Sequence, residues 1–163
     1  MLIESTRFGR LDVRDDTVLA FPDGLIGLPG TRYALIAQSD RTPFYWLHSA
    51  DHPSVAVPVT MPWLFFADYE VRVPEEDATQ LLLGDDLGSA EIFCVVRAAA
   101  ALQEFTINLA GPVIVNADQR LGRQIINAAG GYAVRQPLFS EVELNQVRAG
   151  TSAQVSVPAT ATS

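Results

Sequence analysis

The chain has 163 residues, 48% of them hydrophobic, with 19 acidic against 11 basic side chains and a formal charge of −8. That is the length of one ordinary domain with material for a real core, and it is too apolar for a disordered chain. The acidic surplus excludes the clustered positive charge on which nucleic-acid backbone binding rests. The longest apolar runs, residues 63–67 and 98–102, fall far short of the roughly 20 residues a bilayer span needs. An acidic surface favours basic protein partners through faster and more selective encounter. Residues 1–10 carry no apolar signal-peptide core, so the expected compartment is the cytoplasm, with no membrane partner.

Strand signals dominate from the start. Residues 9–13 alternate, and 17–21 follow the turn-like Arg14-Asp15-Asp16. Phe21-Pro22-Asp23-Gly24 is a turn with a mechanism, Pro setting φ at its second position and Gly permitting positive φ at its fourth. The Gly- and Pro-punctuated stretch 25–30 leads into a strand over 33–37, Pro43 opens another over 44–47, and 55–59 and 69–73 are further stretches of strand length. One helix of about two turns is expected within 73–84, with Pro74 at its start, Glu75, Glu76 and Asp77 in its first turn and Gly84 past its end. Strands resume over 90–97, 104–109, 112–116 and 122–127, the last two joined by the hairpin-length polar connection 117–121. Residues 98–102 form either a helical turn or a loop.

The expected fold is mainly β: a single-domain antiparallel barrel-like roll with one short helix, curled or closed to hide its edges. Missing helical crossovers disfavour a parallel sheet. From Ser140 the composition turns to Ser, Thr, Ala, Val and Gln. Residues 1–138 therefore read as the barrel domain and 139–163 as a C-terminal extension, ordered over 141–148 and flexible over 149–163.

Chemistry is sparse. Cys94 sits in Ile92-Phe93-Cys94-Val95-Val96 and reads as a buried small hydrophobe. Leu47-His48-Ser49-Ala50-Asp51-His52-Pro53 holds Ser, His and Asp together, yet triads are assembled across a fold and no Gly-x-Ser-x-Gly elbow exists. The segment reads as a polar loop, and two histidines with one Asp lack the further ligands of a metal site. The glycines between Gly24 and Gly30 lack the Lys and the strand-to-helix setting of a phosphate loop. No cofactor, metal or catalytic residue is expected, and the chain does not read as an enzyme.

Two features point to protein binding instead. The carboxylates Glu75, Glu76, Asp77, Asp85 and Asp86 are either a solvated complement to a helix dipole or a partner-binding patch. Met61-Pro62-Trp63-Leu64-Phe65-Phe66-Ala67-Asp68-Tyr69 packs four aromatics into seven positions. That loop either plugs one end of the barrel, which is the preferred reading, or leaves part of itself exposed as an anchor for a partner. Asp68, Tyr69, Glu75, Glu76 and Asp77 form the candidate contact region, acid density beside an aromatic loop. Two other classes compete: a small-molecule carrier with an apolar barrel interior, and a hydrolase built on His48, Ser49 and Asp51.

Taken in order, these stretches resemble the FliW family of flagellar assembly factors. Phe21-Pro22-Asp23-Gly24-Leu25-Ile26-Gly27 resembles its Phe-Pro-x-Gly-x-x-Gly entry, and Pro43-Phe44 with Leu47-His48-Ser49 its Pro-Phe…Leu-Gln-Ser segment. Pro62…Phe65-Phe66-Ala67-Asp68-Tyr69-Glu70 matches Pro…Phe…Asp-Tyr-Glu, and Asn108-Leu109-Ala110-Gly111-Pro112-Val113-Ile114-Val115-Asn116 resembles Asn-Leu-x-(Ala/Gly)-Pro-Ile-Val-Ile-Asn. Gly122-Arg123-Gln124-Ile125-Ile126 and Tyr132…Arg135…Pro137-Leu138 complete the pattern. His48 and Met61 stand where Gln and Asn are commoner. The resemblance spans residues 1–138 and implies a cytoplasmic, mainly β protein that binds newly made flagellin and also the translational repressor CsrA. It implies partner switching: export of flagellin frees the factor, which then antagonises the repressor.

Overall fold

A computed structural model of the chain describes residues 1–37, 40–85 and 87–148. It opens with a hairpin, β1 (Leu2–Ser5) and β2 (Gly9–Asp12), that forms its own two-stranded sheet. Among the described residues every later strand joins one nine-stranded sheet. β3 (Val18–Ala20), β4 (Arg32–Ala37), β5 (Phe44–Ser49), β6 (Ala56–Thr60) and β7 (Glu91–Arg97) follow one another as antiparallel neighbours. β9 (Val113–Asn116) and β10 (Leu121–Gln124) form a hairpin. β9 pairs with the first half of β7 through Glu91↔Val115, Ile92↔Ile114 and Phe93↔Val113. β10 lies beside β3, and this closes a ring of seven strands. The short strands β8 (Thr106–Ile107) and β11 (Gln136–Pro137) extend the far end of β7.

Closure removes the edges that an open sheet exposes. The roll is antiparallel with one exception, the β3–β10 contact, which is parallel and holds a single register pair, Leu121↔Ala20. The period-2 pattern decides what fills it. Odd-numbered residues point inward: Leu19, Phe21, Tyr33, Leu47, Val59, Phe93, Val113 and Val115 share one buried cluster. Phe21 lies against the backbone of Gly122, where a Cβ would fall inside contact distance of its ring, so β10 needs glycine there. Large side chains thus occupy the interior, which favours a packed core over the carrier reading.

Even-numbered positions are covered from outside, which explains why both faces of several strands are buried. Trp46 and His48 lie under the β1–β2 hairpin. Phe8 meets Trp46 edge-on with ring centroids 5.4 Å apart, and Arg7 lies over the same indole at 4.8 Å. Phe44, Cys94 and Val96 join a second cluster with Phe105, Ile107, Leu109, Leu138 and Phe139. Ile114 faces helix α1 (Glu75–Gln80), packing with Ala78, Leu81, Leu83 and Ile125.

Six residues are too few for an isolated helix, so this packing, together with acids in the first turn, holds α1. The Asn116 side chain donates to the Leu81 carbonyl at 2.8 Å, satisfying a group that the helix end leaves open. A second short helix, α2 (Glu141–Arg148), follows the barrel and buries Leu144 in the second cluster. Its start is a capping box, with the Ser140 hydroxyl accepting from the Glu143 amide and the Glu143 carboxylate from the Ser140 amide. Residues 149–163, expected as a flexible tail, lie outside the described residues, as does Asp86.

Four local expectations change. The strand expected over 104–109 shrinks to β8, behind a 3-10 turn at Leu102–Glu104. Residues 69–73 carry no strand. The strand expected over 122–127 ends at Gln124. His48 and Ser49, expected in a polar loop, close β5 and are fully buried.

Candidate partner-binding surface

Between β6 and α1 the chain runs over the surface as the aromatic segment, and it divides the two readings of that loop. Pro62–Leu64 forms one turn of 3-10 helix with the Pro buried at its start. Phe65 and Phe66 lean against the second cluster, Phe65 between Phe44 and Phe139 with centroids 5.8 and 6.0 Å away. Met61, Trp63 and Leu64 point out, 38, 42 and 56% exposed. One half of the loop is a plug and the other a protruding apolar turn.

Tyr69 fixes the turn from beneath. Its ring is 4% exposed, and its hydroxyl donates to the Leu109 carbonyl at 2.6 Å. The Trp63 indole N–H donates to the Tyr69 carbonyl at 2.7 Å. Asn127, buried on the opposite side, satisfies the backbone that follows. Its Nδ2 donates to the Tyr69 hydroxyl (3.2 Å) and the Glu70 carbonyl (2.8 Å), and its Oδ1 accepts from the Arg72 and Ala129 amides, both at 3.0 Å. The Glu70 amide donates to the Tyr132 hydroxyl at 2.9 Å. The Glu70 and Arg72 amides, which a strand would have paired, therefore go to side chains, which is why residues 69–73 stay outside the sheet.

Burial pushes the Tyr69 hydroxyl pKa far up, with Cys94 adding to the shift and the Asn127 hydrogen bond opposing it. Burial likewise pushes the Cys94 thiol up to about 12, against the hydrogen bond to Tyr69. Neither group ionises near neutrality, and Cys94 is the inert hydrophobe its neighbours in sequence suggested.

The candidate contact residues separate into three roles. Asp68, Glu75 and Glu76 are exposed, as is Glu70, which belongs to the same acidic surface. Tyr69 is a buried support and reaches no surface. The Asp77 carboxylate, 17% exposed, accepts from Arg123 Nε at 2.5 Å. Arg123 also pairs with Asp23, so it ties α1 to the Phe21–Gly24 turn, and both carboxylates raise its pKa, Asp77 most. Asn127 escaped the sequence reading, which placed it at the end of the strand expected over 122–127; its place directly behind the apolar pair Ile125-Ile126 is the one signal of burial.

The hydrolase constellation does not assemble. His48 Nε2 meets Ser5 Oγ at 2.7 Å and its Nδ1 meets the Ser49 carbonyl at 2.8 Å, while the Asp51 carboxylate is bound to Arg32 at 2.5 Å. This His48 pairing clasps the β1–β2 hairpin to the barrel, helped by Thr6 N–H donating to the Pro53 carbonyl at 2.9 Å.

A small closed barrel with a rigidly supported apolar turn among acidic side chains has the form of a protein-interaction module. The sequence pattern of the FliW protein family matches residues 2–138, and the chain belongs to that family. It is 36% identical over 150 residues, 91% of either chain, to the flagellar assembly factor FliW of Magnetococcus marinus. It is 33% identical to that of Natranaerobius thermophilus, covering 86% of this chain and 94% of the relative. A crystal structure of the flagellar assembly factor FliW superposes with a TM-score of 0.77 at 25% identity, over 86% of this chain and 99% of that one. Among the described residues no helix is long and apolar enough to cross a membrane.

Proposed function

We propose that this chain is a non-catalytic, cytoplasmic flagellar assembly factor that binds flagellin and antagonises the translational repressor CsrA by partner switching. The observation that carries the reading is the Met61–Trp63–Leu64 turn, an apolar projection on a hydrogen-bonded support, with Asp68, Glu70, Glu75 and Glu76 free on the surface of the same segment. Rigid aromatic and aliphatic anchors supply binding energy because little conformational freedom is lost on docking. The acids add selective, fast encounter with a basic partner, and an RNA-binding repressor has a basic surface. Asp68, Glu75 and Glu76 are the contact residues of this proposal, with Tyr69 and Asp77 holding them in place. The working unit is residues 1–138, and the extension 139–163 lies outside the switch. Bound flagellin occupies the factor; its export leaves the factor free to bind the repressor, which links flagellin synthesis to export.

Titration calorimetry with CsrA and flagellin of the same organism tests this, each partner alone and then in the presence of the other. Binding to both, with each weakening the other by the same factor, is the expected outcome, because linkage makes coupling reciprocal. Absence of binding to either partner overturns the reading.

A further inference from the structure

The molecule has a second surface of opposite character. The β6–β7 ladder holds only two residue pairs, Val59↔Val95 and Thr60↔Cys94. Past its end, Val57 and Arg97 both line an open groove of about 470 Å³ at the margin of the barrel core. Its floor is aliphatic, with Val57 and Val95 continuous with the interior cluster. Its rim carries Ile26 and Val134, 71 and 61% exposed.

Every charged side chain lining the groove is basic: Arg97 and Arg135. No acid lines it, in a chain with 19 acidic residues and a net charge of −8. Both arginines are exposed, and among the described residues no carboxylate pairs with either. Elsewhere in the fold, Arg10, Arg14, Arg32 and Arg123 each have one, Arg7 lies over the Trp46 indole and Arg120 donates to the Asp15 carbonyl. Two guanidiniums left unpaired over an aliphatic floor suit a ligand that brings carboxylates and apolar groups together.

We propose that this groove docks a segment of a protein partner in which Glu or Asp alternates with aliphatic side chains, the carboxylates reaching Arg97 and Arg135. A peptide fits better than a small molecule because compact ligands are mostly enclosed by their sites. Ile26 and Val134 instead stand on the rim, where only a ligand extending beyond the groove covers them. The site is separate from the acidic turn and selects the opposite charge, so its success or failure does not depend on the flagellin and CsrA reading.

Fluorescence anisotropy of the full chain with a labelled peptide alternating Val and Leu with Glu provides the test. The same peptide with Gln for Glu, and octanoate as a competitor, complete the set of probes. The Glu peptide is expected to bind, and the Gln peptide to bind about tenfold or more weakly, since two charge-assisted hydrogen bonds are lost. The double variant Arg97→Gln/Arg135→Gln is expected to lose the discrimination between the two peptides, and Val134→Ser to weaken both. The Glu/Gln comparison uses the unaltered protein, so it stands whatever the variants do to folding. Equal binding of the two peptides, or Glu-peptide binding that survives the double substitution, overturns the proposal. Octanoate that saturates the groove while the peptide fails to bind assigns a small amphiphile and also overturns it.

Discussion

Tyr69 and Asn127 lie 58 residues apart and meet in the core, the Asn127 amide donating to the Tyr69 hydroxyl at 3.2 Å. Through this contact the turn that carries Trp63 and Leu64 is anchored to the chain that leaves the last barrel strand. No polar atom of either side chain is left unsatisfied.

Removing that hydroxyl leaves the Leu109 carbonyl and one Asn127 donor with less than they had. Tyr69→Phe is expected to cost about 1–3 kcal/mol of stability. Asn127→Ala orphans the Arg72 and Ala129 amides and the Glu70 carbonyl together, and is expected to cost at least as much, about 2–3 kcal/mol. Urea unfolding measures both; an effect below about 0.5 kcal/mol for Asn127→Ala contradicts the anchoring role.

Leu64 is exposed and no hydrogen bond to its side chain is possible, so Leu64→Ser separates binding from folding. Stability is expected to move by no more than about 0.5 kcal/mol. Affinity for flagellin or CsrA is expected to fall about tenfold, the loss typical of a moderate interface anchor. Trp63→Ala is less clean, because its indole also holds the Tyr69 carbonyl. Unchanged calorimetric affinity of Leu64→Ser for both partners removes the turn from the interface.

Charge reversal must spare Asp77. Glu75→Lys/Glu76→Lys is expected to slow association with CsrA by roughly tenfold at low salt, and less at high salt, because exposed charges steer encounter and are screened. Asp77→Asn instead loosens the Arg123 bridge and is expected to cost about 1–2 kcal/mol of stability. Stopped-flow rates across a salt series, beside unfolding curves, distinguish the two; salt-independent association in the parent protein argues against steering.

How much of this was legible beforehand follows from what periodicity can report. Apolar runs of strand length, bounded by polar or turn residues, located β4, β5, β7 and β9, whose odd residues fill the interior while even ones such as Phe44, Cys94 and Ile114 are covered from outside. The alternation of residues 69–73 was misleading: a backbone pinned by Asn127 and Tyr132 has the strand pattern without the strand. Polarity misplaced His48 and Ser49: the hairpin brings Ser5 to meet the imidazole, and the Ser49 hydroxyl turns back to accept from the Asp51 and His52 amides. Acid density marked a largely exposed segment, but whether a given carboxylate there faces solvent or Arg123 depends on a contact 46 residues away.

Gly122 is a packing position. A methyl group there collides with the Phe21 ring, which has no exposed surface and nowhere to go. Gly122→Ala is expected to destabilise by about 2–3 kcal/mol through overpacking. The compensating pair Gly122→Ala/Phe21→Leu is expected to recover part of that loss in thermal unfolding, and no recovery argues that the strain lies elsewhere.

The Arg32–Asp51 pair sets one pH dependence. The hydrogen bond from Arg32 chiefly holds the Asp51 carboxyl below the ordinary carboxylate range. A depressed folded pKa gives stability that is complete above the unfolded value of about 3.9 and is lost as pH falls through the folded value. Asp51→Asn is therefore expected to flatten the fall in stability below about pH 4, and an unaltered acid limb removes this pair as its source. The pair is exposed, so the effect at neutral pH is small.

The ring of seven strands has a direction in time as well as in space. β9 and β10 are its last members in chain order, and they alone bridge β7 to β3. A chain that has emerged only as far as residue 112 leaves β3 and β7 each without a neighbour on one side, and Phe21, though it has Tyr33 beside it, lacks its seat on Gly122. The Arg123 bridge between the first turn and the helix is equally absent until then. A ribosome must therefore deliver the chain through Gln124 before the barrel exists, and the candidate partner surface draws its support, through Asn127 and Tyr132, from residues made later still.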